Sequence, residues 1–234
     1  MMKEQLSRAC NLFGERAIEY LKERRVAVFG LGGVGSYSVE ALARSGVGKL
    51  MLCDADRVDI TNINRQLCAL HSTVGEYKAE VMAKRAWDID PELEIETKSI
   101  FFSEETISEF DFSDYDYVID AIDSVPEKVL LIKTAKDKNV PIISVMGTGN
   151  KTDPSMFSVV DLFKTQNCPL ARSVRQRLRK LGVDSLEVVF SPETPHADLS
   201  SSTPASCSFV PPVAGLIAAG RVINYLVECS EKGI

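Results

Sequence analysis

Apolar positions in this chain follow two alternating rhythms. Short unbroken runs, Val26-Ala-Val-Phe29, Lys49-Leu-Met-Leu-Cys53, Asp116-Tyr-Val-Ile-Asp120 and Pro141-Ile-Ile-Ser-Val-Met146, have the length and β-branched or aromatic content of buried strands. Between them lie stretches with helical spacing. These are Tyr37 to Ser45, closing on Gly46; Glu76 to Ile89, ending before Pro91; and a segment opening near Pro126 and running to Asp137. A leading helix is expected over Lys3 to Lys22, on an uneven face of Leu6, Leu12, Phe13, Ala17, Ile18 and Leu21. Leu93-Glu-Ile95-Glu-Thr97 alternates as a half-exposed strand, and Ser103-Glu-Glu predicts a further helix start by N-cap logic. Strand and helix in alternation predict an α/β fold: a mostly parallel sheet with right-handed crossovers and helices on both faces.

The rhythm changes after Gly149. Phe157 to Leu162 and Leu186 to Phe190 read as strands flanking a helix, Pro169 to Leu181, and form a C-terminal antiparallel extension. Ser191 to Ser206, rich in Ser, Thr and Pro, reads as a mobile loop; its composition fits a lid over a substrate or plain disorder equally. The last helix starts near Pro211-Pro212. There is no internal repeat. The 234 residues suit one domain, with residues 1–150 as a nucleotide-binding core and 151–234 as a substrate and dimer extension.

Composition narrows the class. The chain is 45% apolar and 26% charged, enough for a sizeable core, and its net charge of −6 argues against a general basic coat without excluding a local basic patch. The opening, Met1 to Glu23, is charged and amphipathic and does not read as a signal peptide. The longest apolar run, Phe209 to Val227, is broken by Pro211-Pro212 and Arg221, so no membrane span is expected and a cytoplasmic protein is. Six cysteines with no CxxC pair read as reduced thiols, with no zinc site.

Candidate chemistry centres on Gly30-Leu-Gly32-Gly33-Val-Gly35, set between the first strand and its helix. Such a turn lets the backbone approach a phosphate, and the following helix N-terminus favours an anion. Asp54, at the end of the second strand, falls where a ribose hydroxyl would lie. Glycines of this kind also serve dehydrogenases, so the turn alone leaves the nucleotide open. Asp56-Arg57-Val58-Asp59-Ile60-Thr61-Asn62-Ile63-Asn64-Arg65-Gln66 goes further, placing an amide and a guanidinium three residues apart. Gly75-Glu-Tyr-Lys78 adds a lysine at a helix start, and Asp120-Ala-Ile-Asp123 an acid at the carboxyl edge of the sheet. Cations to neutralise the β- and γ-phosphates, and a carboxylate to hold Mg²⁺, are what ATP-dependent acyl adenylation requires. Arg57 and Asp59 read as solvent-facing loop charges, Cys53 as core, and His71 and His196 as surface residues. Cys168 and Cys207 invite a thiol mechanism, though small buried hydrophobes are the commoner role.

In order and spacing, GLGGVG, DADRVDITNINRQ, GEYK and AIDS resemble the HesA/MoeB/ThiF family of ubiquitin-activating-like adenylating enzymes, over about residues 5 to 150. The resemblance implies a Rossmann-like sheet, ATP with Mg²⁺, a homodimer, and adenylation of a carboxylate. By the same resemblance Asp54 contacts ribose, Asn62, Arg65 and Lys78 contact phosphates, Asp123 holds the metal, and Arg8 reaches into a partner subunit's site. The segments Gly147-Thr-Gly-Asn-Lys151-Thr-Asp153-Pro154 and Cys168-Pro169-Leu170-Ala171-Arg172 are similar to the subgroup that dehydrates threonylcarbamoyladenosine in the tRNA anticodon loop. That subgroup also raises a monovalent cation, Na⁺ or K⁺, around residues 140 to 210. For a tRNA, Arg172, Arg175 and Arg179 share one face of a basic amphipathic helix, which reads equally as a solvated face. Two rivals stand beside this reading. One is an activator of a ubiquitin-like sulfur-carrier protein, with a sulfur-transfer or carrier partner, against which the missing CxxC pairs count. The other is a NAD-binding redox protein or non-catalytic scaffold.

Overall fold

In the computed structural model, which describes residues 4–196 and 204–233, one seven-stranded sheet organises the chain. Its strands are β1 (Arg25–Phe29), β2 (Lys49–Cys53), β3 (Glu94–Lys98), β4 (Tyr117–Asp120), β5 (Ile142–Val145), β6 (Ser158–Asp161) and β7 (Glu187–Phe190). They lie in the order β3-β2-β1-β4-β5-β7-β6. All pairs are parallel except β6 with β7, so the extension continues the sheet rather than forming a second one.

Both faces are covered, as a parallel sheet requires. Along β1, Val26 and Val28 join a core with α3 (Gly35–Arg44), α4 (Lys78–Ile89) and α7 (Val210–Lys232). Ala27 and Phe29 point into the opposite core, with α5 (Val125–Asp137) and α6 (Pro169–Lys180). The two-residue alternation of a strand assigns neighbouring side chains to opposite layers. α7 is long and apolar enough to cross a membrane by composition, yet Val222, Ile223 and Leu226 are buried in the first core.

Two expectations need correcting. The leading helix is two: α1 (Ser7–Phe13) and α2 (Glu15–Lys22), separated by Gly14, whose φ of +87° no helix accommodates. No α-helix follows Ser103. Its hydroxyl bonds Glu105 at 2.5 Å, and Thr106 Oγ1 accepts the Ser103 N–H at 3.0 Å and donates to the Phe101 carbonyl at 2.6 Å, which ties a tight turn. The reason lies downstream. Phe102, Phe110 and Phe112 all pack on Phe29, at centroid distances of 5.1, 5.4 and 6.1 Å. Spacings of eight and two residues cannot place three rings on one helix face, so the chain runs through single 3₁₀ turns. Of the Ser191 to Ser206 segment, residues 197–203 lie outside the described residues.

Candidate active site

Strand order steps one way through β1, β2 and β3 and the other way from β4 onward, so the topology reverses between β1 and β4. Ligands of open α/β sheets bind beyond the carboxyl ends of the strands at such a point. A cleft of about 860 Å³ opens there. Gly30, Gly32 and Gly33 form its floor, and Asp54, Asp56, Asn62, Arg65, Gln66 and Lys78 line it together with Asp123. These residues are spread over almost a hundred positions of the chain, and the fold brings them to one cavity.

Gly35 does not line it. It is buried as the first residue of α3, and a Cβ there would overlap the Gly30 carbonyl oxygen. Its lack of a Cβ lets helix and turn close on each other.

Asp54 is held from both sides. Its Oδ2 accepts the Leu31 N–H at 2.6 Å and its Oδ1 the Asp56 N–H at 2.8 Å. Each carboxylate oxygen keeps a lone pair for a further donor such as a ribose hydroxyl. Burial pushes the Asp54 carboxyl up from its usual value, against Lys78 and the two amides, which pull it down. On the far side of Asp54 lies a hollow of about 250 Å³ lined by Phe29, Ile100, Phe101, Phe102 and Ile122. An apolar slot beside a carboxylate with free acceptor positions is a shape that a flat base would fit. Nothing in the local sequence marks it, because Phe29 closes β1 while Ile100, Phe101 and Phe102 lie about seventy residues further along the chain.

Lys78 opens α4 and is 5% exposed, with its Nζ 2.7 Å from Asp56 Oδ2. Arg65 Nη1 donates to the Thr61 carbonyl at 3.1 Å and to Asn64 Oδ1 at 2.8 Å. Asn62 Oδ1 accepts the Asp59 N–H at 3.1 Å while Asp59 accepts from Thr61, a reciprocal cap on the 3₁₀ turn Ile60–Asn62. Asp59 is therefore a cap and not an idle charge. Arg57 also has work: it stacks 3.8 Å over the Tyr77 ring and donates to the Gly75 carbonyl at 2.8 Å.

Asp123 stands exposed where cleft and hollow meet. Among the described residues no three His, Cys, Asp or Glu gather into a metal site. A single carboxylate at a phosphate site is nevertheless a fitting donor for Mg²⁺, which commonly takes one or two carboxylates and completes its shell with substrate phosphates and water.

Behind Asp123 lies a network that the sequence did not reveal. Lys128 Nζ bonds Asp120 Oδ2 at 2.8 Å and Ser144 Oγ at 3.1 Å, and Ser144 Oγ donates to the same Asp120 oxygen at 2.6 Å. Asp120 and Lys128 are fully buried. Asp120 Oδ1 accepts the Ile122 N–H at 3.1 Å, which fixes the turn that presents Asp123. A lysine among the apolar residues of α5 was the available signal.

The far half of the cleft is lined by Gly147 to Lys151, Cys168, Pro169 and Leu170. Cys168 caps α6, accepting the Ala171 N–H at 3.5 Å. Arg8 is exposed on α1, outside the cleft lining. On α6, Arg172 and Arg179 are exposed, the latter 5.3 Å over the Phe163 ring. Arg175 is otherwise engaged: its Nη1 donates to the Thr165 carbonyl at 2.6 Å and hydroxyl at 2.8 Å, so the expected basic triplet is a pair.

The model of the ThiF family matches residues 5–233. The chain belongs to the ThiF family. Among relatives of this ThiF-family chain, the tRNA threonylcarbamoyladenosine dehydratase of Bacillus subtilis is 44% identical, with 98% of this chain and 97% of the relative covered. Crystal structures of the Escherichia coli enzyme of that name, in complex with AMP and with ATP, superpose at TM-scores of 0.93 and 0.92. Both are 34% identical, over 98% of this chain and 96% of theirs.

Proposed function

We propose that the protein is an ATP-dependent tRNA threonylcarbamoyladenosine dehydratase. It adenylates the carboxylate of the threonylcarbamoyl group, and a nitrogen of the same group then closes a ring with loss of AMP. The observation that carries the reading is full-length similarity to enzymes of that name, joined to a cleft that gathers Arg65, Lys78 and Asp123 around a glycine floor. In this reading the base lies against Phe101 and Phe102, the ribose on Asp54, and the triphosphate over Gly30 to Gly33. Arg65, Lys78 and the Asn62 amide hold the phosphate oxygens and stabilise charge as the α-phosphorus is attacked. Mg²⁺, when bound at Asp123, shares in neutralising the β- and γ-phosphates. No covalent enzyme nucleophile is required, since ring closure is intramolecular.

The same reading makes the protein a cytoplasmic homodimer. α1 has no buried residue and carries Leu12, 77% exposed, beside Arg8, a surface suited to a second copy whose cleft Arg8 completes. Arg172 and Arg179 contact the tRNA backbone. The rival activator of a sulfur-carrier protein is the poorer fit: relatives named as sulfur-carrier adenylyltransferases or sulfurtransferases are 27–32% identical over 56–88% of the chain, against 44% over 98% for the dehydratase. Incubation with ATP and threonylcarbamoyladenosine-bearing tRNA should give AMP and a dehydrated nucleoside by mass spectrometry. AMP release indifferent to that modification would sink the substrate assignment.

A further inference from the structure

Lys78, Lys128 and Lys151 are buried in the described structure, and two of them have a carboxylate partner. Lys78 has Asp56 and Lys128 has Asp120, at 2.7 and 2.8 Å. Lys151, 4% exposed, has neither an aspartate nor a glutamate within ion-pair distance among the described residues. Its Nζ donates to two main-chain carbonyls, Ser191 at 2.7 Å and Glu193 at 3.1 Å, and lies 6.0 Å over the Phe190 ring. The Glu193 carboxylate is close but committed elsewhere, to the Thr152 and Asp153 amides, the Thr152 hydroxyl and His196. Burying an ammonium against neutral groups alone is costly, and the cost falls when an anion arrives. Lys151 lines the far half of the cleft, beyond the glycine floor, where the acyl substrate must sit to reach the α-phosphate.

We propose that Lys151 is the receptor for the substrate carboxylate, its third N–H donating to that group and holding it beside the nucleotide. The proposal rests on the adenylating function above and adds the residue that selects an acid-bearing substrate. Two donors anchor the ammonium to the wall formed by residues 191–193, and an ammonium has three. Burial also presses the Lys151 amine below its usual value, with Cys168 and Glu193 opposing, as expected of a buried cation that no carboxylate bonds directly.

The test compares binding of threonylcarbamoyl-modified tRNA with binding of the same tRNA unmodified, in wild type and in Lys151→Gln and Lys151→Arg, with ATP binding measured in parallel by calorimetry. Wild type should prefer the modified tRNA by about ten-fold or more, the scale of a hydrogen bond to a charged group. Lys151→Gln should lose that preference while keeping its affinity for unmodified tRNA and for ATP, and Lys151→Arg should restore part of it. A Lys151→Gln protein that keeps the preference, or weakens on both tRNAs alike, overturns the assignment and leaves Lys151 a strut for the wall. Wild type with no preference overturns the substrate reading itself. Slower alkylation of Cys168 in Lys151→Gln than in wild type would make a Cys168 thiolate the counter-ion, and would also overturn it.

Discussion

Lys78 is buried and Asp56, its partner at 2.7 Å, is largely exposed at the cleft wall. In the proposed reading the Asp56 carboxylate holds the ammonium where phosphate oxygens of ATP would. Lys78→Met should weaken ATP binding by about ten-fold or more, since it removes a charge-assisted bond and leaves Asp56 facing the triphosphate. Lys78→Met/Asp56→Asn should bind better than Lys78→Met alone. Calorimetric titration of the three proteins checks the order; equal affinity in the two variants would mean that Asp56 does not face the phosphates.

The Asp120–Lys128 pair sits under the turn that presents Asp123. Lys128→Met leaves a buried carboxylate without its cation, and the expected loss of stability is about 3–5 kcal/mol. Lys128→Met/Asp120→Asn should recover most of it, because no charge is then stranded. Urea denaturation measures both. A double variant as unstable as the single would show that the network does not act through charge.

Gly35→Ala should cost about 1–3 kcal/mol, the range of overpacking in a close-packed interior, or more, because the obstacle is backbone and not a flexible side chain. The same denaturation experiment, with ATP binding alongside, checks it.

Acid should weaken the bridge that Glu40 makes to Arg44 and Arg85, at 2.7 Å each. Burial pushes the Glu40 carboxyl up, but hydrogen bonds from Arg85 and Arg44 outweigh it and hold the group below 4.5. Its stabilising contribution is thus complete above pH 4.5 and is lost as pH falls through the lower folded value. Glu40→Gln should flatten that part of the stability profile, measured by denaturation at a series of acid pH values.

Thiol footprinting should separate the cysteines. Burial pushes Cys53 up to about 12 and Cys68 up to about 11, so both should resist iodoacetamide near neutral pH, where the half-buried Cys10, Cys207 and Cys229 react. Labelling of Cys68 in the folded protein would mean that the loop under Gln66 opens.

The residues legible in the sequence were those whose chemistry and position repeat as local spacing. Each strand run, the glycine turn with Asp54, and the Asn62–Arg65–Lys78 series can be read on its own within some thirty residues, and the fold brings the glycines, Asp54, Asn62, Arg65 and Lys78 to one cleft. What could not be read depends on contacts between distant segments. Lys128 is one cation in an apolar helix until β4 and β5 bring Asp120 and Ser144 against it. Ser103 carried a valid N-cap signal, but Phe102, Phe110 and Phe112 gain more on Phe29 than a helix could offer. Arg175 counted as a surface charge until the Thr165 carbonyl claimed it.

Transfer of oxygen tests the proposed chemistry most directly. Threonylcarbamoyladenosine carrying a heavy oxygen isotope in its carboxylate, placed in tRNA and incubated with the protein and ATP, should pass one labelled oxygen to AMP, because the carboxylate oxygen bonded to the α-phosphorus leaves with it. Label recovered in inorganic phosphate or pyrophosphate, or retained in the nucleoside while AMP stays unlabelled, would contradict adenylation in this cleft.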